Sequence, residues 1–391
     1  MKNNSNVTVR EPLFHVSKRK EIALVWKIVI YASAIIGALL VASIICTIVS
    51  EDGNPLWFFV SLFNGNIGTE RRIWQFFKEF ALLLLVTQAV VPAFKMKFWN
   101  LGANGQILIG CLACTAVMFT LGGSVPNALL YALMFIASVL AGVVWAVIPA
   151  VFRAFFKTNE TLFTLMLNYI ASGLVVVMIS VWVSTGSGVL EPMEQYSFPD
   201  VFGSEYIFTI LIAALVTVFM FFYMKKSKHG FELSIVGESE NTARYVGLNI
   251  RWVIIRTLIV SGAICGIVGF LLSGDINNTV NNEMANNMGF TAIMTAWLGK
   301  FDPIIMIGTC ALITFVTNGM NEVRSSFGFY NNSVVNFVLG FIYFFIIGCE
   351  FFIRYKINLR KKKSAEFTVL NDKSIELEEK NKAQISKEED K

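Results

Sequence analysis

Long apolar stretches alternate with short polar ones along most of the chain, and this pattern predicts a membrane protein. Several windows exceed the roughly 18 consecutive apolar residues that mark a transmembrane helix. The apolar stretches lie at 22–49, 73–92, 106–122, 128–152, 161–183, 205–224, 252–272, 288–299, 304–320 and 334–353. We therefore expect an all-α polytopic membrane protein with about ten transmembrane helices. A shorter apolar patch at 56–63 is expected to dip into the outer leaflet.

Polar, glycine-containing stretches interrupt this pattern where an ordinary transmembrane helix would stay apolar. They lie at 99–106, at 158–161 and at 299–303. The apolar stretch 288–299 is too short to cross a bilayer alone and predicts one half of a broken helix. Non-helical backbone at membrane depth is tolerated only when it is buried in protein or lines a wet cavity. The breaks therefore indicate a transport path rather than a simple membrane anchor.

The distribution of Lys and Arg predicts the orientation of the chain. If the N-terminus is inside, 27 of the 32 basic residues fall in cytoplasmic segments, as the positive-inside rule requires. This divides the chain into a cytoplasmic tail at 1–21, a transmembrane domain at 22–354 with a cytoplasmic loop at 225–251, and a charged, disordered cytoplasmic tail at 355–391. Both termini are expected in the cytoplasm.

Composition excludes several classes of function. The net charge of +5 is concentrated on the inner face, which fits anionic lipid better than nucleic acid. The chain contains no P-loop, so it is not expected to bind ATP through one. The six cysteines lie in or beside apolar stretches, and the two histidines are remote from them, so we expect no metal site, no catalytic residue and no cofactor in this chain. Acidic residues are scarce inside the spans, which weakens the case for an ion-coupled carrier.

The candidate path residues are the polar and aromatic side chains at the first two breaks. The amides of Asn100, Asn104 and Gln106 either line a path or satisfy backbone freed by the glycines beside them. Asn159 and Glu160 either cap the next helix or gate transport. Asn168 and Tyr169 face the bundle interior or pack between helices. Phe98 and Trp99 either stack on a solute or anchor the chain at the membrane interface.

The loop 225–251 is the other informative segment. Residues Glu238 to Val246 suit a short helix, with Ser or Asn available at its start and Gly247 as its stop. Its exposed face would carry Arg244 and Tyr245, residue types that are enriched among interface anchors. The segment is either a docking element for a cytoplasmic protein or an amphipathic loop that lies on the bilayer.

Four segments together resemble a known family. Phe98–Gln106 resembles the "FNIGAEGQ" signature of ATP-binding-cassette (ABC) permeases for nucleosides and simple sugars, and Asn159–Ile170 resembles their "NEVITTLMLNYIA". Residues 230–249 are similar to their cytoplasmic loop. Residues 289–300, followed by Asp302 and Pro303, are similar to "GFxGIAVALLGxxxP". The matches occur in chain order, and it is their combination that is specific.

The resemblance implies a permease subunit without chemistry of its own, built from two inverted five-helix halves. The expected partners are a second permease chain, a cytoplasmic ATPase that binds ATP and Mg²⁺, and an extracytoplasmic solute-binding protein or lipoprotein. The ATPase would dock on 225–251, with Gly237, Glu238, Arg244, Tyr245 and Gly247 as the coupling residues. The expected location is a bacterial cell membrane.

The chain departs from the family pattern at three places. Asn104 stands where a Glu is usual, Ser234 stands where an Arg is usual, and residues Met294 to Trp297 are bulkier than the usual run. The first two changes remove charge from polar sites, so the solute is expected to differ from that of close relatives.

The preferred hypothesis is an importer permease for nucleosides or related simple sugars. The alternatives are an ion-coupled secondary transporter of a small polar solute and a membrane scaffold without transport activity. A scaffold gives no reason for glycine-broken polar runs at three spans.

Overall fold

The computed structural model of the chain describes residues 14–18, 24–50, 54–183, 189–199, 206–329 and 333–359. The described residues form thirteen α-helices and two short strands. The helices are α1 (Leu24–Val49), α2 (Pro55–Ile67), α3 (Glu70–Lys95), α4 (Ala103–Leu121), α5 (Asn127–Phe156), α6 (Glu160–Trp182), α7 (Ile207–Lys225), α8 (Lys228–Glu238), α9 (Glu240–Tyr245), α10 (Ile250–Phe270), α11 (Met288–Leu298), α12 (Pro303–Ser326) and α13 (Ser333–Arg354). The strands are β1 (Phe14–Lys18) and β2 (Tyr355–Leu359).

Eight helices of the described part of the chain are long and apolar enough to cross a membrane. A π-helical turn, Leu271–Ile276, extends α10. Helix α11 has 11 residues, so it covers roughly 16 Å, about half of the hydrocarbon thickness. This confirms the predicted polytopic helical fold and the predicted half-helix at 288–299. The apolar patch at 56–63 lies within α2.

The structure divides into two compact units, residues 1–38 with 344–391 and residues 39–343. In the first unit, β1 pairs antiparallel with β2, so that Phe14 lies opposite Leu359 and Lys18 opposite Tyr355. The prediction that disorder begins at residue 355 is therefore wrong for the first five residues of the tail, which form a strand. Residues 1–13 and 360–391 lie outside the described residues.

In the second unit, α3 is the central helix. Residues 81–94 of α3 are all buried, and α2, α7, α10, α11 and α12 pack around the helix. Its Pro92 lacks an N–H, so it cannot donate the helical hydrogen bond to the carbonyl of Gln88, four residues earlier. The central helix of the unit therefore lacks one backbone hydrogen bond, the one that the carbonyl of Gln88 would accept.

Helix α5 crosses α10 at close range through small residues. A Cβ atom added to Gly142 would lie 2.4 Å from the carbonyl oxygen of Gly262, and one added to Gly266 would lie 2.6 Å from the carbonyl oxygen of Ser138. The Ser138 hydroxyl donates to the carbonyls of Gly110 and Gly266. Close approach of this kind is how helices associate where lipid removes the hydrophobic driving force between them.

Candidate functional site

The segment between α3 and α4 is non-helical, and the buried side-chain amide of Asn100 stabilises its conformation. The side chain of Asn100 is fully buried. Its Oδ1 accepts from the N–H of Gly102 at 3.0 Å and from Nε2 of Gln106 at 3.4 Å, and its Nδ2 donates to Oγ of Ser261 at 3.3 Å. Asn100 therefore replaces backbone partners that the helix break removes.

Two further amides join the first break to the elements around it. Oδ1 of Asn104 accepts from the N–H of Gly289, at the start of α11, at 2.8 Å. Asn168 bridges the break from α6, since its Oδ1 accepts from the N–H of Gly105 and its Nδ2 donates to the carbonyl of Leu101, both at 2.8 Å. The first broken element and the half-helix α11 therefore meet at Asn104.

The glycines at this junction are required by close approach. A Cβ atom added to Gly105 would lie 2.8 Å from Oδ1 of Asn168, and one added to Gly289 would lie 2.7 Å from Oδ1 of Asn104. Any larger residue at either position would displace the amide that bonds its own N–H.

The remaining candidate path residues comprise a helix cap, an ion-paired carboxylate, one buried ring and two exposed rings. Asn159 caps α6 by accepting from the N–H groups of Thr161 and Leu162. Glu160 pairs with Arg153 at 3.3 Å. The positions of the other candidates differ: Phe98 is buried, whereas Trp99 and Tyr169 are exposed. A role of these residues in transport stays a prediction.

The loops predicted to be cytoplasmic contact one another at one end of the unit. Nζ of Lys225, at the end of α7, lies 2.8 Å from a carboxylate oxygen of Asp302, which caps α12. Burial alone would raise the pKa of Asp302, but the hydrogen bonds from Lys225 and from the N–H groups of Ile304 and Ile305, together with the charge of Lys225, outweigh it and hold the pKa below its ordinary value. Arg153 of α5 lies 3.8 Å from Glu240, so α9 contacts the end of α5.

Helix α8 is anchored firmly to the membrane-spanning helices. The carboxylate of Glu232 pairs with Arg256 of α10 at 2.5 Å. Burial would raise the pKa of Glu232, but the hydrogen bond and charge of Arg256, together with the neighbouring His229, hold it below its ordinary value. Gly237 lies against the backbone of α3, where an added Cβ would meet the carbonyl oxygen of Lys95 at 2.1 Å.

The short helix predicted over 238–246 is present as α9, but it begins at Glu240 rather than at Glu238, and the Ser expected at its start is Ser239. Ser239 has an extended backbone with φ of −159° and ψ of 120°, so α8 ends at Glu238 and α9 begins at Glu240. The extended Ser239 also caps α9, since its hydroxyl accepts from the N–H of Thr242. The stop at Gly247 is confirmed by its φ of +81°.

Helix α9 presents an exposed aromatic ring beyond the membrane-spanning helices. The side chain of Tyr245 is 92% exposed, and Val246 is 63% exposed. Arg244 is exposed and lies 3.8 Å from Glu240, one turn earlier. Tyr and Arg are enriched among the residues that anchor protein interfaces, so this exposed pair on α9 is a candidate docking surface.

The loops predicted to be external contact one another at the other end. The N–H of Met193 donates to the carbonyl of Asn278 at 2.8 Å, and that of Phe198 to the carbonyl of Gly274 at 3.0 Å. Arg72 pairs with Glu322 at 2.7 Å. Each end of the unit therefore brings together loops that the charge pattern assigns to the same side of the membrane.

Comparison with known proteins decides the family. Residues 73–347 match the family described as branched-chain amino acid transport system / permease component. The chain belongs to this permease family.

Three curated relatives support the assignment. The permease is 27% identical over 323 residues to the guanosine ABC transporter permease protein of Bacillus subtilis, which covers 78% of this chain and 89% of the relative. It is 25% identical to the nucleoside ABC transporter permease protein of Lactococcus lactis, covering 68% and 77%. It is 27% identical to the glucose ABC transporter permease protein of Haloferax volcanii, covering 71% and 76%. The chain is a multi-pass membrane permease subunit.

The permease also contains a polar group that the sequence analysis missed. The side chain of Gln88 is completely buried in α3, and neither its Nε2 nor its Oε1 has a hydrogen-bond partner among the described residues. Oε1 of Gln106 is likewise buried and unpartnered there. A single amide inside an apolar run produces no periodic signal, although its spacing of four residues from Pro92 is visible in the sequence.

Proposed function

We propose that this permease forms the transmembrane part of an ATP-driven importer, and that it translocates nucleosides or related simple sugars. The relatives named for guanosine, nucleoside and glucose transport support this solute class. An extracytoplasmic solute-binding protein or lipoprotein delivers the solute, and a second permease chain completes the pore. A cytoplasmic ATPase supplies the ATP and Mg²⁺ chemistry.

The connection between α8 and the first break carries this proposal. The exposed Tyr245 lies on α9, which is capped by the residue that ends α8. Helix α8 is fixed to α10 through Glu232 and touches the carbonyl of Lys95 through Gly237. Lys95 is the last residue of α3 and directly precedes the non-helical segment that the Asn100 side chain stabilises. A displacement of α9 would therefore be transmitted to α8 through the cap that the two helices share. From α8 it would reach the non-helical segment through the contact of Gly237 with Lys95.

The basic residues at the inner end support the proposed orientation of the chain. The inner end groups Lys225, Arg153, Arg244 and Arg256 near the coupling helices, and the positive-inside rule places such an end in the cytoplasm. The proposed location is the bacterial cell membrane, with both termini in the cytoplasm.

Replacement of Glu238, Arg244 and Tyr245 together by Ala tests the docking role of this surface. Truncated interface anchors typically cost about 2 kcal/mol or more each, so co-purification of the ATPase should fall by more than about tenfold. Solute uptake should fail while the solute-binding protein still docks outside. Replacement of Asn241 and Thr242 by Ala is the matched control, because both are exposed on the same helix and belong to types that rarely act as anchors. Normal transport by the triple variant would show that the coupling element lies elsewhere.

A further inference from the structure

A polar pocket lies where α3 and α7 begin, at the end of the unit that is external in the proposed orientation. It has a volume of about 250 Å³ and is lined by Arg71, Gln75, Lys78, Tyr206, Ile276 and Asn277. The three residues from α3 follow one another at spacings of four and three, so they share a face of that helix. Tyr206 directly precedes α7, and Ile276 ends the π-helical turn that extends α10. This pocket, here called the outer pocket, therefore lies between three helices of the unit.

The two cations of the outer pocket lack a carboxylate partner in the described part of the chain. The basic residues that the proposed orientation leaves at the outer end are Arg71, Arg72, Lys78 and Arg324. Arg72 pairs with Glu322, whereas Arg71 and Lys78 form no ion pair with any described residue. Two unpaired positive charges thus lie together on the side of the membrane where the positive-inside rule expects few.

The acidic residues around the outer pocket do not neutralise these charges. Glu79 accepts a hydrogen bond from Nε2 of Gln75 at 3.1 Å, and Asp275 accepts one from Oγ1 of Thr209 at 3.0 Å. Glu70 is exposed at the start of α3. None of these carboxylates belongs to the lining that the described residues form. The outer pocket is therefore a cationic cavity without an internal counter-ion.

The outer pocket lies at the level of the lipid headgroups. Helix α3 has 26 residues, so it is about 39 Å long and exceeds the hydrocarbon thickness of roughly 30 Å at its ends. The rings of Trp74 and Tyr206 lie 6.4 Å apart and nearly parallel, and such rings are enriched at the membrane–water interface. Nζ of Lys78 lies 5.5 Å from the centre of the Tyr206 ring, and a Lys chain of this kind extends its charge toward the headgroups.

The chemistry of the lining suits a phosphate. A guanidinium binds two oxygens of a phosphate at once, and an ammonium contributes a compact point charge. The side-chain amide of Asn277 offers further N–H donors. The volume of about 250 Å³ lies below the roughly 300–1,000 Å³ of pockets that enclose a whole small-molecule ligand. A neutral nucleoside or sugar would also leave both cations without a counter-ion.

We propose that the outer pocket binds a phosphate group at the outer surface of the membrane, with Arg71 and Lys78 as its charged ligands. The phosphate belongs either to the headgroup of an anionic phospholipid or to inorganic phosphate in the medium. A phosphate bound there would join the start of the central helix α3 to the start of α7. The site depends on the proposed orientation but not on the solute that the permease carries.

Protection of Lys78 from acetylation tests this proposal on the purified full chain in a neutral detergent. A water-soluble N-hydroxysuccinimide ester acetylates the amine, and mass spectrometry of the peptide that contains Lys78 gives the rate. Phosphatidylglycerol represents the lipid source, and inorganic phosphate represents the free source. Diacylglycerol with the same acyl chains and chloride at the same ionic strength are their controls. At least one of the two phosphate compounds should slow the reaction, and its control should not.

Arg71→Gln should raise the phosphate concentration that halves the acetylation rate about tenfold or more, because it removes a charge-assisted contact. Arg324→Gln is the matched control and should leave that concentration unchanged, because Arg324 is a basic residue at the same end that lies outside the lining. Protection by phosphatidylglycerol alone would identify a lipid site, and protection by both compounds would show that free phosphate suffices. Thermal unfolding without ligand checks that both variants are folded.

Two results would overturn the proposal. One is a lack of protection by either phosphate compound, or equal protection by diacylglycerol or chloride, and wild type alone decides this point if Arg71→Gln does not fold. The other is an equal effect of Arg71→Gln and Arg324→Gln. If phosphate gives no protection but Arg71→Gln weakens docking of the solute-binding protein, the pocket holds an acidic side chain of that protein instead. Because no solute is present, none of these results depends on the proposed transport activity.

Discussion

Gln88 and Asn66 are both buried amides, but their surroundings differ. Nδ2 of Asn66 donates to the carbonyls of Leu62 and Phe315 at 3.0 and 2.9 Å, whereas Gln88 has no side-chain partner among the described residues. Removal of a bonded amide should destabilise the protein by about 1–3 kcal/mol, and removal of an unbonded one should be neutral or stabilising. Thermal unfolding of Asn66→Leu and Gln88→Leu in detergent checks this. A large loss of stability in Gln88→Leu would mean that its amide is hydrogen-bonded through water.

The bond between Asn104 and Gly289 makes a second prediction at this scale. Asn104→Leu leaves the N–H of Gly289 without an acceptor inside the bundle, so the melting temperature and membrane abundance should both fall. Asn104→Asp keeps an acceptor oxygen in place and should retain more of both. Uptake that falls while stability and abundance stay normal would show that Asn104 serves the path rather than the junction.

At the residue scale the sequence predicts that the polar side chains of the first break are buried in the helical unit, but not what they contact. The amides at the first break stand out as polar groups in an apolar context. The partner of Asn104 lies 185 residues away, and no local pattern predicts such a pairing. Gln88 cannot be recognised from the sequence, because what distinguishes it is a buried side-chain amide without a hydrogen-bond partner among the described residues. Only the packing of the helices shows this.

At the scale of elements, the anchor of α8 makes stability depend on pH. Because the pKa of Glu232 in the folded protein lies below its ordinary value of 4.5, its ion pair with Arg256 stabilises the fold at neutral pH. This stabilisation is lost as pH falls from about 4.5 through the folded pKa. The melting temperature should therefore drop over this range, and the drop should be smaller in Glu232→Gln. An identical pH profile in the two proteins would contradict the assignment.

The positions of the helices follow largely from the sequence, whereas one break between them does not. Apolar length predicts α11 as a half-helix, since 11 residues cannot cross the bilayer. The start of α9 at Glu240 rather than at Glu238 is different, because Ser is tolerated both within a helix and as a cap. The contact of Gly237 with α3 and the pairing of Glu232 fix where α8 must end, and both are tertiary.

At the scale of the whole molecule, the two ends of the helical unit differ in their content of Lys and Arg, and this difference predicts the topology. A reporter fused after Lys391 should be cytoplasmic, and one inserted near Pro192 should be external, since that loop contains no Lys or Arg. Accessibility to a membrane-impermeant thiol reagent at Cys residues introduced at these two positions measures the same property. Two positions on the same side of the membrane would contradict the proposed topology.

The source of energy tests the central claim most directly. Right-side-out membrane vesicles from cells that express the whole transport system can be loaded with ATP and given labelled guanosine outside. The account predicts uptake that requires internal ATP, stops with orthovanadate and persists when ionophores collapse the ion gradients. Uptake that an imposed proton or sodium gradient drives without ATP would contradict it and would favour an ion-coupled carrier.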